Sequence, residues 1–298
     1  MKLAIITINF NGAPETIKLL ESLQSAENNA NVFVVDNNSQ SEDAGILENY
    51  FQSALKSDQI SKLIKNKVNL GFSGGNNVAA ETAVSNNADW VLLLNNDTTV
   101  ENSFIARLKT ILEQSEYQNP SIIGIPLNEG KRMAYAGRIN WLKPTLRHVY
   151  QPLSMFDNKT AYAIGAAMLV HGKVFETVGF LDEKYFLYFE DADFCQRAKA
   201  AGFEIKFLPD LGLNHRVSAS TAKLGSPVLL RYHYRNALYF NVKNGPWYIK
   251  IAVWPWSWLI ITKQILKLLI GRRSAQSHAI LSGVMDFYLG RFGKITLG

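Results

Sequence analysis

Leu3-Ala-Ile-Ile-Thr-Ile-Asn-Phe-Asn-Gly-Ala-Pro14 is a short apolar run that ends in polar turn residues, with a proline just beyond. Six apolar or β-branched residues are too few for a helix and suit a strand buried on both faces. Pro14 fits the first turn of a helix over residues 13–25, because its missing amide is one a helix start leaves unused. The same alternation continues downstream. Residues 32–35, 62–64 and 90–94 read as strands, and residues 42–55 and 76–84 as helices. Alternating strand and helix predicts an α/β fold with a mainly parallel sheet covered by helices on both faces.

Composition sets the outer bounds. The 298 residues, 47% hydrophobic, suit one large domain or a domain with an appendage. Cys195 is the single cysteine, which excludes an internal disulfide and a cysteine metal cluster and fits a reducing compartment. The opening apolar run meets polar residues too soon for a signal peptide, so a cytoplasmic location is expected. The net charge of +6 is concentrated at one end. Residues 246–298 carry Lys250, Lys263, Lys267, Arg272, Arg273, Arg291 and Lys294 against Asp286 alone. Trp247, Trp254, Trp256 and Trp258 lie in the same tail. Tryptophan with basic residues is an interfacial composition, and the apolar stretch is too short, and interrupted by Pro255, to span a bilayer. Residues 247–273 are therefore expected to lie on a membrane surface, the alternative being a core or homodimer contact. Long aliphatic runs between the cations argue against nucleic acid.

In sheets of this kind ligands bind at the carboxyl ends of the strands. There the sequence places Thr7 and Asn9, then Asp36 and Asn38, then Asn95, Asn96 and Asp97. The third strand is followed by Asn69-Leu-Gly-Phe-Ser-Gly-Gly-Asn-Asn77. Asp36 can accept from a ribose hydroxyl or base imide, while Gly71, Gly74, Gly75 and Asn76 can bring backbone amides to a phosphate. Each segment alone is also an ordinary turn; their convergence on one sheet edge favours a site. The glycine run matches neither a dinucleotide fingerprint nor a P-loop, which leaves sugar nucleotides.

Two further features carry chemistry. Asp97 ends a buried strand abruptly, and one or two carboxylates with phosphate oxygens suffice for a hard divalent cation. His215, beyond a strand over residues 204–208, is a second ligand or a structural histidine. Tyr185-Phe-Leu-Tyr-Phe-Glu-Asp-Ala-Asp-Phe194 delivers Glu190, Asp191 and Asp193 from an aromatic wall into a helix over residues 191–201. Such acids cap helices, and apolar surroundings also tune a carboxylate into a base.

Taken in order, Ile5-Ile-Thr-Ile-Asn-Phe-Asn11, Val34-Val-Asp-Asn-Asn-Ser39, the glycine segment, Leu92-Leu-Leu-Asn-Asn-Asp97, Gly165-Ala-Ala-Met168, Gly179-Phe-Leu-Asp-Glu183, Phe189-Glu-Asp-Ala-Asp193 and His215 resemble the GT-A glycosyltransferases of family 2. Within that family the resemblance is to rhamnosyltransferase-like enzymes of bacterial surface polysaccharide assembly. It covers roughly residues 3–220 and implies a Rossmann-like GT-A domain over residues 1–225, with a helical, basic and tryptophan-rich extension over 226–298. It further implies donor contacts from Asp36 and the glycine segment, Mg2+ or Mn2+ at Asp97 and Asp191 as catalytic base with Glu190 beside it. Asn95 and Asn96 depart from the usual acid-containing pattern, which weakens the metal expectation. The implied reaction is inverting transfer from a nucleotide-sugar donor, dTDP-rhamnose or a UDP-hexose, to a hydroxyl of a glycan or polyprenyl-linked saccharide. Residues 130–160, with Arg138 and Trp141, are expected either to shape the acceptor pocket or to act as scaffolding. Two alternatives stand beside this reading. One is a non-catalytic sugar-nucleotide binding module. The other is a nucleotidyltransferase, against which the uncharged Asn9-Phe-Asn-Gly12 loop argues.

Overall fold

The computed structural model describes residues 1–26, 30–54, 61–143, 145–151, 159–215, 226–271 and 274–295. Its first half follows the expected alternation: β1 (Leu3–Asn9), α1 (Ala13–Ser25), β2 (Asn31–Asp36), α2 (Ser41–Ala54), β3 (Ser61–Lys65), α3 (Gly71–Ser85) and β4 (Trp90–Leu94). Leu55, expected to end α2, lies outside the described residues. There follow β5 (Thr98–Thr99), α4 (Phe104–Leu112), β6 (Ser121–Gly124), β7 (Leu127–Asn128), β8 (Met133–Ala134), β9 (Ala136–Arg138), β10 (Arg147–Val149), β11 (Ala161–Tyr162) and β12 (Ala167–His171). The chain continues with α5 (Gly172–Val178), α6 (Glu190–Ala200), β13 (Glu204–Phe207), β14 (Leu213–His215), α7 (Pro227–Asn244), α8 (Trp247–Leu269) and α9 (Ser274–Tyr288).

The main sheet runs β13-β6-β12-β4-β1-β2-β3. β3, β2, β1 and β4 are parallel, whereas β12 lies antiparallel between β4 and β6, so the sheet is mixed. Alternation along β1 explains its double burial. Leu3 and Ile5 face a core shared with α1, α2 and α4, and Ala4 and Ile6 face one shared with α3, α6 and part of α7. Trp90, Leu92 and Leu94 against Val91 and Leu93 repeat the division in β4.

The glycine segment is helical, not a loop. α3 begins at Gly71, five residues before the expected start, because its small residues let the helix approach the sheet. A Cβ on Gly75 would stand 2.9 Å from the Ile8 side chain. At Gly71 φ is +73° and a Cβ would sit 2.3 Å from the Phe186 carbonyl, so only glycine starts this helix without strain.

Within residues 130–160, β9 pairs with β10, and with β11 just beyond that stretch, in a small antiparallel sheet. The three C-terminal helices pack together through Leu238, Val253, Ile260, Ile280 and Val284. α7 also reaches the main domain, with Ala237 and Phe240 in its second core.

Candidate active site

The carboxyl ends of β2, β1 and β4 are tied by one chain of hydrogen bonds. Asn96 Nδ2 donates to Thr16 Oγ1 at 3.0 Å, Thr16 Oγ1 donates to Asn9 Oδ1 at 2.9 Å, and Asn9 Nδ2 donates to Asp36 Oδ1 at 3.0 Å. Asp43 joins it, accepting from Asn9 Nδ2 and from the Ala13 amide at the start of α1. Asn9 and Asn96, expected at the ligand, are thus straps that hold the strand ends in register. Asp36 is 5% exposed and is held at Oδ1 by Asn9 and, at 3.4 Å, at Oδ2 by the Ser39 amide. Thr7 is fully buried within β1, its hydroxyl without a partner among the described residues.

Next to Asp36, the residue that organises the edge is Asn37, and the sequence reading passed over it for Asn38. Asn37 Nδ2 donates to Asn69 Oδ1 and the Gly71 carbonyl, and its Oδ1 accepts from Asn66 Nδ2 and the Leu70 amide. Asn38 is exposed, in a left-handed turn at φ 64°. Strand alternation was the available signal, but it fails at a turn. The α3 start differs from the expected phosphate cradle: the Gly71 amide donates to Asn69 Oδ1 and the Phe72 amide to the Phe186 carbonyl. Gly74 and Gly75 lie within the helix, and Asn76 Nδ2 donates back to the Phe72 carbonyl. These four residues pack and shape the wall.

Asp97 and His215 meet. β14 pairs antiparallel with β5, His215 opposite Thr98, which puts Asp97 Oδ1 3.2 Å from His215 Nε2. Both side chains are nearly buried, at 8% and 9% exposure, yet among the described residues Asp97 Oδ1 and both His215 ring nitrogens lack a well-formed hydrogen bond. Orphaned buried acceptors in that pairing fit a divalent cation completed by phosphate oxygens. Among the described residues no cluster of three or more His, Cys, Asp or Glu is poised for a metal, so such an ion would depend on its substrate for the other ligands. Asn95 adds none of the charge an acid would; its carbonyl accepts from the Thr98 amide and hydroxyl.

The aromatic run packs against the start of α3, where the Phe186 carbonyl accepts from the Phe72 amide. Phe186, Tyr188 and Phe189 all have positive φ, a costly conformation for bulky residues that the surroundings must enforce. Asn236 of α7 supplies that force, donating to the carbonyls of Tyr185, Leu187 and Tyr188. Buried Arg235 donates to the carbonyls of Lys184 and Tyr185. α7, read from sequence as the start of an extension, is the brace of this loop.

The three acids of the run have separate fates. α6 begins at Glu190 with Phe189 at its cap, so Asp191 does not cap it. Asp191 Oδ2 accepts from the Gly165 amide at 3.0 Å and Oδ1 from the Ala192 amide at 2.7 Å. Burial raises its proton affinity, while those amides and the charge of His148 pull it back. Glu190 is pushed well above the usual carboxylate range, by burial first and by Asp191 second, and its Oε2 has no partner among the described residues. Of the pair, Asp191 is the one its surroundings support as an anion. Asp193 is fully buried and structural: it accepts from Arg197, Lys243, Asn244 and Tyr185. His148 bonds Glu129 Oε1 at 2.8 Å and holds that acid below its ordinary value.

The carboxyl edge thus gathers strand-end asparagines, an acid–histidine pair left without well-formed hydrogen bonds among the described residues, and a carboxylate held by backbone amides. The glycosyl transferase family 2 model matches residues 4–179, and the chain belongs to that family. It is similar to the low-salt glycan biosynthesis hexosyltransferase Agl10 of Haloferax volcanii, at 32% identity over 214 residues, 68% of this chain and 63% of that protein. It is also similar to an N-acetylglucosaminyl-diphospho-decaprenol L-rhamnosyltransferase of Mycobacterium tuberculosis, at 22% identity over 83% of this chain and 86% of that one. The fold matches the mannosyltransferase PcManGT of Pyrobaculum calidifontis, solved with GDP-Man and Mn2+. The TM-score is 0.58 at 13% identity, covering 97% of this chain and 88% of that one.

Proposed function

We propose that the protein is an inverting glycosyltransferase that moves a sugar from a nucleotide-diphosphate donor, dTDP-rhamnose or a UDP-hexose, to a hydroxyl of a glycan or lipid-linked saccharide. The single observation that carries this reading is that Asp191, amide-held at Gly165 and of raised proton affinity, and the Asp97–His215 pair belong to one end of the sheet, where the Asn95 amide donates to the carbonyl of Ala166 beside Gly165. The rhamnosyl and hexosyl transfers named for its relatives support the reaction class.

Asp191 takes the proton of the acceptor hydroxyl as that oxygen attacks the anomeric carbon, and the bond from that carbon to the diphosphate oxygen breaks. The nucleoside diphosphate leaves, and the configuration inverts. General-base help of this kind is worth roughly 10² to 10⁴ in rate. Asp36 accepts from the donor's ribose or base, and the brace from Asn236 keeps the aromatic wall and Asp191 in place. Asp97 and His215 would hold a Mg2+ or Mn2+ ion, which when bound supplies positive charge to the departing diphosphate.

The acceptor of this enzyme is a saccharide carried on a polyprenyl diphosphate, met at the cytoplasmic face of a membrane. The outward face of α8 supports that location: Trp247, Ile251, Trp258, Leu259 and Leu269 are 62–77% exposed, with Lys250, Lys263 and Lys267 among them. Arg272 and Arg273 lie outside the described residues. Among the described residues no helix is long and apolar enough to cross a membrane.

A thermal-shift panel of nucleotide sugars with and without Mn2+ tests the reaction class, since a ligand selective for the native state raises the melting point. Selective stabilisation by one donor, followed by release of its nucleoside diphosphate with an acceptor, is expected. No shift with any donor removes the proposal.

A further inference from the structure

A cleft of about 690 Å³ opens between the β9–β10 hairpin and the first turn of α8, lined among others by Arg138, Trp141, Arg147, His148, Tyr150 and Ile249. Arg138 and Arg147 stand directly opposite one another in the β9–β10 register. Directly opposed like charges destabilise a strand pair, with side chains about 5 Å apart at their roots. Among the described residues no ion pair involves either guanidinium. Glu129, the nearby acid, is taken up by His148 and by the Tyr150 hydroxyl at 2.9 Å. A fold that retains such a pair presents a ready-made clamp for a dianion, because two planar guanidiniums match phosphate oxygens in bidentate fashion.

The cleft touches two features already described. Ile249 of its lining belongs to the helix whose neighbouring residues Trp247, Tyr248 and Ile251 are 74%, 54% and 62% exposed. His148, also in the lining, is close enough to Asp191 for its charge to act on that carboxyl. Thr160 of the cleft wall precedes β11, and the same strand leads on to Gly165, whose amide holds Asp191.

We infer that this cleft binds the diphosphate of a lipid-linked acceptor, with Arg138 and Arg147 as its cationic clamp. The inference rests on the proposed transferase reading and makes its acceptor side specific. The lipid chain leaves past Ile249 along α8, the diphosphate rests between the two guanidiniums, and the saccharide extends past His148 toward Asp191. Trp141, stacked on Phe240 of α7 with ring centroids 5.3 Å apart, gives the cleft a rigid side.

The test is binding of farnesyl diphosphate to the full chain by calorimetry, with wild type, R138Q/R147Q and D97N compared in EDTA. Both arginines are exposed, so the double variant should fold, and its melting temperature checks this. The expected result is a loss of roughly tenfold or more in R138Q/R147Q, since each charge-assisted bond is worth about that factor, and no change in D97N. Flotation with phosphatidylglycerol vesicles should be the same for wild type and double variant. Equal farnesyl diphosphate affinity in both proteins overturns the inference. So does a loss of vesicle binding alone, which would make the pair a headgroup contact, and so does a loss in D97N alone, which would place the ligand at the donor edge. Failure of every nucleotide sugar to stabilise the protein, with arginine-dependent farnesyl diphosphate binding intact, would remove the transferase reading while leaving this site standing.

Discussion

Asp97 Oδ1 and His215 Nε2 lie 3.2 Å apart although 118 residues separate them, because β14 pairs with β5 and sets His215 opposite Thr98. Neither atom makes a well-formed hydrogen bond within the described residues. Two buried polar atoms left in this state cost stability unless a third partner joins them. With Mn2+ and a nucleoside diphosphate together, the melting temperature should rise more than with the nucleotide alone. Asp97→Ala and His215→Ala should each abolish the Mn2+-dependent part. An undiminished Mn2+ increment in both variants would place the ion elsewhere.

Asp191→Asn keeps an acceptor for the Gly165 amide and removes the charge. Single-turnover rates should fall roughly 10² to 10⁴-fold with donor affinity unchanged. Because burial raises the Asp191 carboxyl, the acid limb of the wild-type rate profile should lie above the ordinary value of an aspartate. A variant with normal turnover would leave only a binding module.

Glu190→Gln should stabilise the protein at neutral pH. The folded carboxyl is raised well above its unfolded value by burial, so the native state loses stability as pH climbs from the unfolded pKa through the folded one. Urea denaturation at several pH values should show a difference that grows upward from the carboxylate range and vanishes below it. A constant difference would assign the effect to packing.

His233 stacks on Tyr188, ring centroids 4.1 Å apart, and among the described residues neither ring nitrogen has a partner. Burial lowers its pKa from 6.5 to about 4. The unfolded chain therefore takes up the proton first, and stability present above the unfolded value is lost as pH falls toward the folded one. The loss amounts to about 3 kcal/mol across that window. His233→Phe retains the stack and should flatten the dependence in urea melts. A slope unchanged by the substitution would assign it to other groups.

Trp247 and Trp258 are 74% and 64% exposed on α8. Replacing both by Ser should weaken binding to anionic vesicles by roughly tenfold or more, at small cost to the fold, given the burial each ring would gain in lipid. Donor-dependent thermal shifts should be unaffected. Vesicle binding equal to wild type would direct this face to a protein contact.

The parallel half of the sheet was legible because β1, β2 and β4 are short, doubly buried runs, each with turn chemistry at its end. The α3 start was not, since glycines that usually signal a loop here serve close packing on Ile8 and a left-handed helix start at Gly71. The acids were found but their division of labour was not. Asp191 and Asp193 differ by two positions, yet one meets the amide of Gly165 and the other the cations of Arg197 and Lys243. Asn9 and Asn96 were placed correctly at the strand ends, but their bonds run inward to Asp36 and Thr16.

Local composition determined what neighbouring residues decide among themselves: strand and helix order, the polar carboxyl edge, and the aromatic, basic character of the C-terminal helices. Their signals are periodicity and turn chemistry, both short-range. Tertiary structure alone decided which polar atoms would be spent on the fold and which left for a ligand. That choice depends on partners far along the chain, such as Asn236 on the Tyr185–Tyr188 carbonyls and Arg147 opposite Arg138. A hydrogen bond or an opposed charge has no counterpart in a residue's own type. It exists only once the backbone has brought the two groups together.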